Sequence, residues 1–113
     1  MERIKQLTED IEIVINRSKI EINNNELINL EATITDRINN PKEGSYTNYL
    51  VNNGDNKILK KVAEESAEVL LACKDNKPNE IVFEIADLIY HLTVEMVTKN
   101  VSWEDIFNEL KKR

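Results

Sequence analysis

The sequence predicts an all-helical fold: a bundle built around an antiparallel pair of carboxylate-bearing helices and completed by self-association. Three observations carry this expectation. Glycine and proline occur only twice each, while Ile, Leu, Glu, Lys and Asn dominate, a composition that suits helices and offers too few turn residues for a sheet fold. Apolar residues recur at three- and four-residue spacing along most of the chain. And 113 residues make one small domain, which on its own buries only about two thirds of the surface its unfolded chain exposes, so that a second copy is a natural way to complete the core.

The elements follow in order. From Glu2 to about Arg17, Ile4, Leu7, Ile11, Val14 and Ile15 share a helical face. Asn23-Asn24-Asn25 interrupts that pattern and offers a cap for a second helix over 26–38, with Leu27, Leu30, Ile34 and Ile38 on one side. Pro41 and Gly44 punctuate an irregular stretch from Asn39 to Ser45, followed by a short helical piece over 46–51. After Asn52-Asn53-Gly54, Asp55 or Asn56 is placed to cap a long helix that runs to about Lys74. Asp75 to Asn79 forms the next break, and Pro78 suits the first turn of a fourth long helix ending near Thr98. Ser102, with Asp105 three residues on, caps a last helix whose contacts are Trp103, Ile106, Phe107 and Leu110.

Charge and cysteine content narrow the function classes. Fifteen Lys and Arg against 21 Asp and Glu give a net charge of −6, which repels a polyanion, so nucleic-acid polymers are poor partners. No apolar run is long enough for a membrane span and the N-terminus lacks a secretory pattern, so no membrane partner and a cytoplasmic location are expected. The single cysteine, Cys73, has no partner for a disulfide or a zinc site and is read as a small core residue.

The acids are what remains to be explained. On the third long helix Ile58, Leu59, Val62, Ser66, Val69, Leu70 and Cys73 form a mainly apolar face, and Glu65 and Glu68 lie beside it three residues apart. On the fourth, Ile81, Ile85, Leu88, Ile89, Leu92 and Met96 make the packing face, and Glu84 and Asp87 repeat the spacing. A short turn centred near Asn76 makes the two helices antiparallel neighbours. Eight residues outward from Asn76 lie Glu68 and Glu84; eleven outward lie Glu65 and Asp87. The levels are about 4.5 Å apart at helical rise, so four carboxylates converge where like charges need compensation. A hard divalent cation supplies it: Mg²⁺, with Mn²⁺ as a chemical substitute. Such a site neutralises phosphate charge and activates water, which is the chemistry of phosphoanhydride hydrolysis.

Other candidates surround this square. Glu64 is either a supporting ligand or base, or a solvated helix residue. His91 is either an imidazole hydrogen-bonded across the helix interface or a group beside the metal or the phosphates. Glu95 lies beyond the square and reads as structural or solvated. Lys57, Lys60 and Lys61 bring positive charge that can meet a phosphate tail or pair with nearby acids. Lys42, Ser45, Tyr46 and Thr47 offer a cation, hydroxyls and a ring in the irregular stretch, a set that serves binding loops and helix caps alike.

Three segments give the chain a family likeness: Pro-Lys-Glu-Gly-Ser-Tyr-Thr at 41–47, Lys-Lys-Val-Ala-Glu-Glu-Ser-Ala-Glu-Val at 60–69 and Glu-Ile-Ala-Asp-Leu-Ile-Tyr-His-Leu at 84–92. Over about Leu30 to Lys112 the sequence resembles the phosphoribosyl-ATP pyrophosphohydrolases of histidine biosynthesis, within the all-helical nucleoside triphosphate pyrophosphohydrolase superfamily. The paired acids point to the superfamily; Gly-Ser-Tyr-Thr and Asp-Leu-Ile-Tyr-His point to the narrower family. The resemblance implies magnesium-dependent cleavage of phosphoribosyl-ATP to phosphoribosyl-AMP and pyrophosphate by water attacking the phosphorus nearest the nucleoside. It implies metal ligation by Glu65, Glu68, Glu84 and Asp87, catalytic roles for Glu64 and Glu65, and proton handling by Glu64 or the metal centre. Lys60, Lys61 and the 45–47 segment become substrate contacts, joined by Lys42, Lys57 and His91 as candidates, and the assembly is a homodimer. Residues 1–25 then stand apart as a helical extension in front of a catalytic domain at 26–113, with too little chain for a second catalytic domain.

Two other readings compete. A broader-specificity nucleoside triphosphate pyrophosphohydrolase would share the metal chemistry and differ in substrate preference. A non-catalytic dimeric helical binding module would account for the apolar faces but leave both acid pairs unexplained.

Overall fold

The computed structural model describes residues 25–113; the helix expected over 2–17 lies outside the described residues. Five helices follow one another: α1 (Glu26–Asn39), α2 (Tyr46–Asn52), α3 (Asp55–Lys74), α4 (Pro78–Thr98) and α5 (Trp103–Leu110). No strand occurs among the described residues.

The helix ends follow local side-chain chemistry. The Asn25 side chain accepts from the Ile28 amide, Ser45 from that of Asn48 and Ser102 from that of Asp105, while the Asp105 carboxylate accepts the Ser102 amide in return. Each such cap satisfies an amide that the helix cannot. Pro78 occupies the first turn of α4, where its missing N–H costs nothing. The start of α3 departs from expectation: neither Asp55 nor Asn56 caps it. Gly54 does so at φ 89°, ψ 170°, a conformation that suits glycine alone, which frees Asp55 to begin the helix and reach Lys99.

Both long helices end on asparagines in the left-handed region, Asn76 at φ 53° and Asn100 at φ 59°. In each case the next two amides fold back, Asn76 to Cys73 and Lys77 to Ala72, then Asn100 to Val97 and Val101 to Met96. This closure reverses the chain within three residues after α3. The two helices consequently run antiparallel and form the most extensive contact in the fold. Their far ends meet too, through a 3.2 Å ion pair between Lys99 Nζ and Asp55 Oδ1.

The apolar core lies at that far end. Ile34 of α1, Leu50 of α2, Ile58 of α3 and Val94 of α4 are almost wholly buried, with Leu30, Ile38, Val51, Tyr90 and Val97 packed around them. The α5 helix is tied on through Trp103, whose backbone amide donates to Glu31 Oε1 and whose indole donates to Thr93 Oγ1.

The expected packing faces need correcting. On α3 the fully buried stripe is Ile58, Glu65 and Ala72, while Leu59, Leu70 and Cys73 face outward. On α4 the buried residues are His91, Thr93 and Val94, and Ile85 is exposed. Both helices are apolar on more than one side, so apolar periodicity does not tell which side a helix turns to its own chain. Cys73 is a surface residue, not part of the core.

Candidate functional site

Midway along the hairpin the acids meet in the expected register. Glu65 and Asp87 approach as one interacting pair, Glu68 and Glu84 as another. Ligand atoms of Glu65, Glu68 and Glu84 lie within 4.8 Å of one another, and so do those of Glu65, Asp87 and His91. Glu65, common to both groups, is only 4% exposed. Burial, then the neighbouring Asp87 and Glu68 carboxylates, push its carboxyl up to about 7. Glu84 is also raised, chiefly by Glu68. These directions mark negative charge crowded beyond what the protein compensates.

Two atoms sharpen the point. Glu65 Oε2 and Glu84 Oε2 are buried with no hydrogen-bond partner. A buried carboxylate oxygen without a partner is costly unless it is protonated or holds a cation. An all-oxygen set of this kind fits a hard divalent ion, so these acidic residues could hold a metal.

Around the acids the remaining candidates are distributed unevenly. Lys61 Nζ reaches both Glu64 (3.6 Å) and Glu65 (3.8 Å), placing one cation on the rim. The Glu64 side chain is 45% exposed. Lys60 lies on the exposed side of α3. Lys57 sits 5.5 Å over the Tyr49 ring. Lys42, Gly44, Ser45, Tyr46, Asn48 and Tyr49 line an open cleft of about 540 Å³. Gly44 turns this loop at φ 80°.

The polar groups of Tyr46, Thr47 and His91 are engaged within the protein. The Tyr46 hydroxyl lies 2.9 Å from His91 Nε2, and the Thr47 and Tyr90 hydroxyls are hydrogen-bonded to each other. Sequence reasoning singled out neither Tyr90 nor Asn48. The Asn48 side chain accepts the Lys42 amide and donates to the Arg37 carbonyl, which holds the cleft loop against α1. Tyr90 lay inside a quoted motif, but its partner is 43 residues away and no local pattern reveals it.

A helical hairpin carrying two facing acid pairs is what the resemblance to the all-helical nucleoside triphosphate pyrophosphohydrolases leads one to expect. The family model described as phosphoribosyl-ATP pyrophosphohydrolase matches residues 27–113. The chain is 52% identical over 90 residues to the phosphoribosyl-ATP pyrophosphatase of Clostridium acetobutylicum, covering 79% of this chain and 82% of that protein. It is equally 52% identical over 84 residues to the Clostridium novyi protein of the same name, covering 74% of this chain and 76% of the relative. It is 54% identical over 89 residues to the histidine biosynthesis bifunctional protein HisIE of Caldanaerobacter subterraneus subsp. tengcongensis, covering 78% of this chain and 43% of that longer one. Other bifunctional relatives are matched over 37% and 35% of their length, so the chain spans about two fifths of those proteins. The chain belongs to the phosphoribosyl-ATP pyrophosphohydrolase family.

Proposed function

We propose that the chain hydrolyses phosphoribosyl-ATP to phosphoribosyl-AMP and pyrophosphate in histidine biosynthesis, acting in the cytoplasm as a homodimer with Mg²⁺. The observation that carries this reading is the convergence of Glu65, Glu68, Glu84 and Asp87, with two buried oxygens lacking any partner, in a chain of this family. Those four carboxylates would hold the ion, and Mn²⁺ is a chemically reasonable substitute. When bound, the ion supplies charge neutralisation for the phosphates and makes water a better nucleophile.

The chain's own residues supply the rest. Water attacks the phosphorus nearest the nucleoside; the bond from that phosphorus to the bridging oxygen breaks, and the outer two phosphates depart together as pyrophosphate. Glu64 is open to solvent beside the buried acids and is assigned the water's proton, with Glu65 holding the ion and sharing in proton balance. Lys60 and Lys61 are the cations of α3 assigned to the departing phosphates. Lys42, Ser45 and the Tyr46 ring, lining the cleft, are assigned to the remainder of the substrate, and Lys57 to its edge through Tyr49.

The outward apolar residues of the hairpin support a second copy. Leu70, Leu71, Val82 and Phe83 are each about two thirds exposed and flank the turn on both helices. Burying them against a partner would remove an apolar surface that a lone chain leaves in water. No helix among the described residues is long and apolar enough to cross a membrane.

Product-resolved hydrolysis of phosphoribosyl-ATP, with magnesium and with chelator, tests the reading. Release of pyrophosphate and phosphoribosyl-AMP only with the metal is expected. Preferential turnover of ordinary nucleoside triphosphates would favour the broader-specificity enzyme, and ligand binding without any product would favour a binding module. Sedimentation of the Leu70→Glu variant should show dissociation; an unchanged assembly would remove this face as the contact.

A further inference from the structure

Proximity alone would make His91 a metal ligand, because its ring nitrogens lie within 4.8 Å of Glu65 and Asp87 oxygens. Its hydrogen bonds say otherwise. Nδ1 lies 2.8 Å from the Asp87 carbonyl oxygen, which can only accept, so Nδ1 carries the proton. In the neutral ring Nε2 then holds the lone pair, and the Tyr46 hydroxyl 2.9 Å away donates to it. Burial of the Tyr46 hydroxyl raises its pKa, which keeps that donor protonated. The His91 residue is 2% exposed, so water offers no ready replacement for either partner.

A second bond lies beside it, one residue later on α2 and one residue earlier on α4, between the hydroxyls of Thr47 and Tyr90. Three aromatic contacts fill the space between. His91 stands edge-on to Tyr46 at 5.7 Å and to Tyr90 at 5.2 Å, and the two tyrosine rings lie 6.1 Å apart. Nδ1 also lies 3.8 Å from Oδ1 of Asp87, the acid that confronts Glu65.

We propose that His91 is a positioning residue and not a metal ligand: with both nitrogens committed, it joins Tyr46, Thr47 and Tyr90 in a latch that bolts the start of α2 to the Asp87 turn of α4. The latch sets the cleft loop at a fixed distance from the carboxylates, so the two halves of one substrate meet walls already in register. Tyr46 thereby serves as an anchor through its hydroxyl and as a cleft wall through its ring. This inference rests on the carboxylates being the reaction centre, but its test does not depend on turnover alone.

His91 is the chain's one histidine, so its imidazole signals in a long-range ¹H–¹⁵N correlation spectrum are unambiguous. In the full chain at pH 8 a protonated Nδ1 and a bare Nε2 are expected; the opposite tautomer or a doubly protonated ring would overturn the proposal. With Mn²⁺ bound, pulsed electron paramagnetic resonance should show no directly coordinated nitrogen, and such a coupling would make His91 a ligand. Tyr46→Phe, nearly isosteric, should lower kcat about tenfold while Mn²⁺ affinity and KM stay within about twofold. A rise in KM at unchanged kcat would return the hydroxyl to substrate binding. His91→Gln, which keeps an acceptor for Tyr46, should retain more turnover than His91→Ala; equal loss would count against the latch. Failure of Mn²⁺ to bind at all would remove the metal reading above and leave the tautomer to decide this one.

Discussion

The two ends of the α3–α4 hairpin are built from the same helices and do opposite things. At the end joined to α1 and α2, Ile58 and Val94 are sealed against Ile34 and Leu50, and Trp103 is matched with Thr93 and Glu31 and Lys99 with Asp55, although Arg37 Nη1 and Glu95 Oε2 are buried there without a partner. Toward the turn, Leu70, Leu71, Val82 and Phe83 face outward, and between the two ends Glu65 and Glu84 bury oxygens that nothing satisfies. One end holds the fold together; the middle crowds negative charge that the protein itself does not compensate and that a cation could offset. The chemistry proposed above therefore falls where these carboxylates crowd and not where the apolar core is sealed.

The largest expected effect tests the middle. Asp87→Asn or Glu65→Gln should reduce metal-dependent turnover by about two to three orders of magnitude, with helical circular dichroism retained. Normal turnover by either folded variant would separate these acids from the reaction. Leu50→Ala, at the sealed end, should instead cost about 2–5 kcal/mol in denaturant unfolding. If the surviving folded fraction lost its activity per molecule, the division between the two ends would break.

A pH series separates the same regions without mutation. The Glu65 carboxyl titrates near 7 in the folded chain, above its ordinary 4.5, so the folded state holds this proton more tightly. Stability from this group is fully present below about 4.5 and is lost as pH climbs through 7. Metal-free protein should accordingly melt lower at pH 8 than at pH 5, magnesium should reverse the loss at pH 8, and Glu65→Gln should flatten the profile. A profile unaffected by that substitution would assign the slope elsewhere, with Glu95, also raised by burial and Asp55, the next group to examine. The smallest expected effect lies in the cap of α5. Ser102→Ala should cost about 1 kcal/mol and leave turnover unchanged.

How much of this could be read in advance varied with the range of the interaction. The facing of Glu65 with Asp87 and of Glu68 with Glu84 was legible because a tight turn and two regular helices convert residue counting into geometry. Helix caps at Asn25, Ser45 and Ser102 are local, and two of the three were legible as caps from neighbouring residues. Which apolar stripe faces inward was not legible, since Leu70 and Cys73 sit on a side as regular as the buried one and only the position of α1 and α2 distinguishes them. Nor were the partners of Tyr46 and Thr47: hydroxyls in a turn-rich loop suit a ligand as well as a neighbouring helix, and contacts 43 and 45 residues away leave no periodic trace.

The three-residue reversal after α3 has a consequence for the order in which this molecule assembles. Glu68 and Glu84 are close in sequence, so their approach closes a short loop, whereas joining α2 to α4 closes a much longer one. The hairpin should consequently zip early and present its acids before the cleft wall arrives, so that divalent ions in the refolding buffer act on the first step and not the last. Stopped-flow refolding of Val94→Ala and Ala72→Gly would read this as a rate change for the variant nearer the turn and mainly faster unfolding for the other.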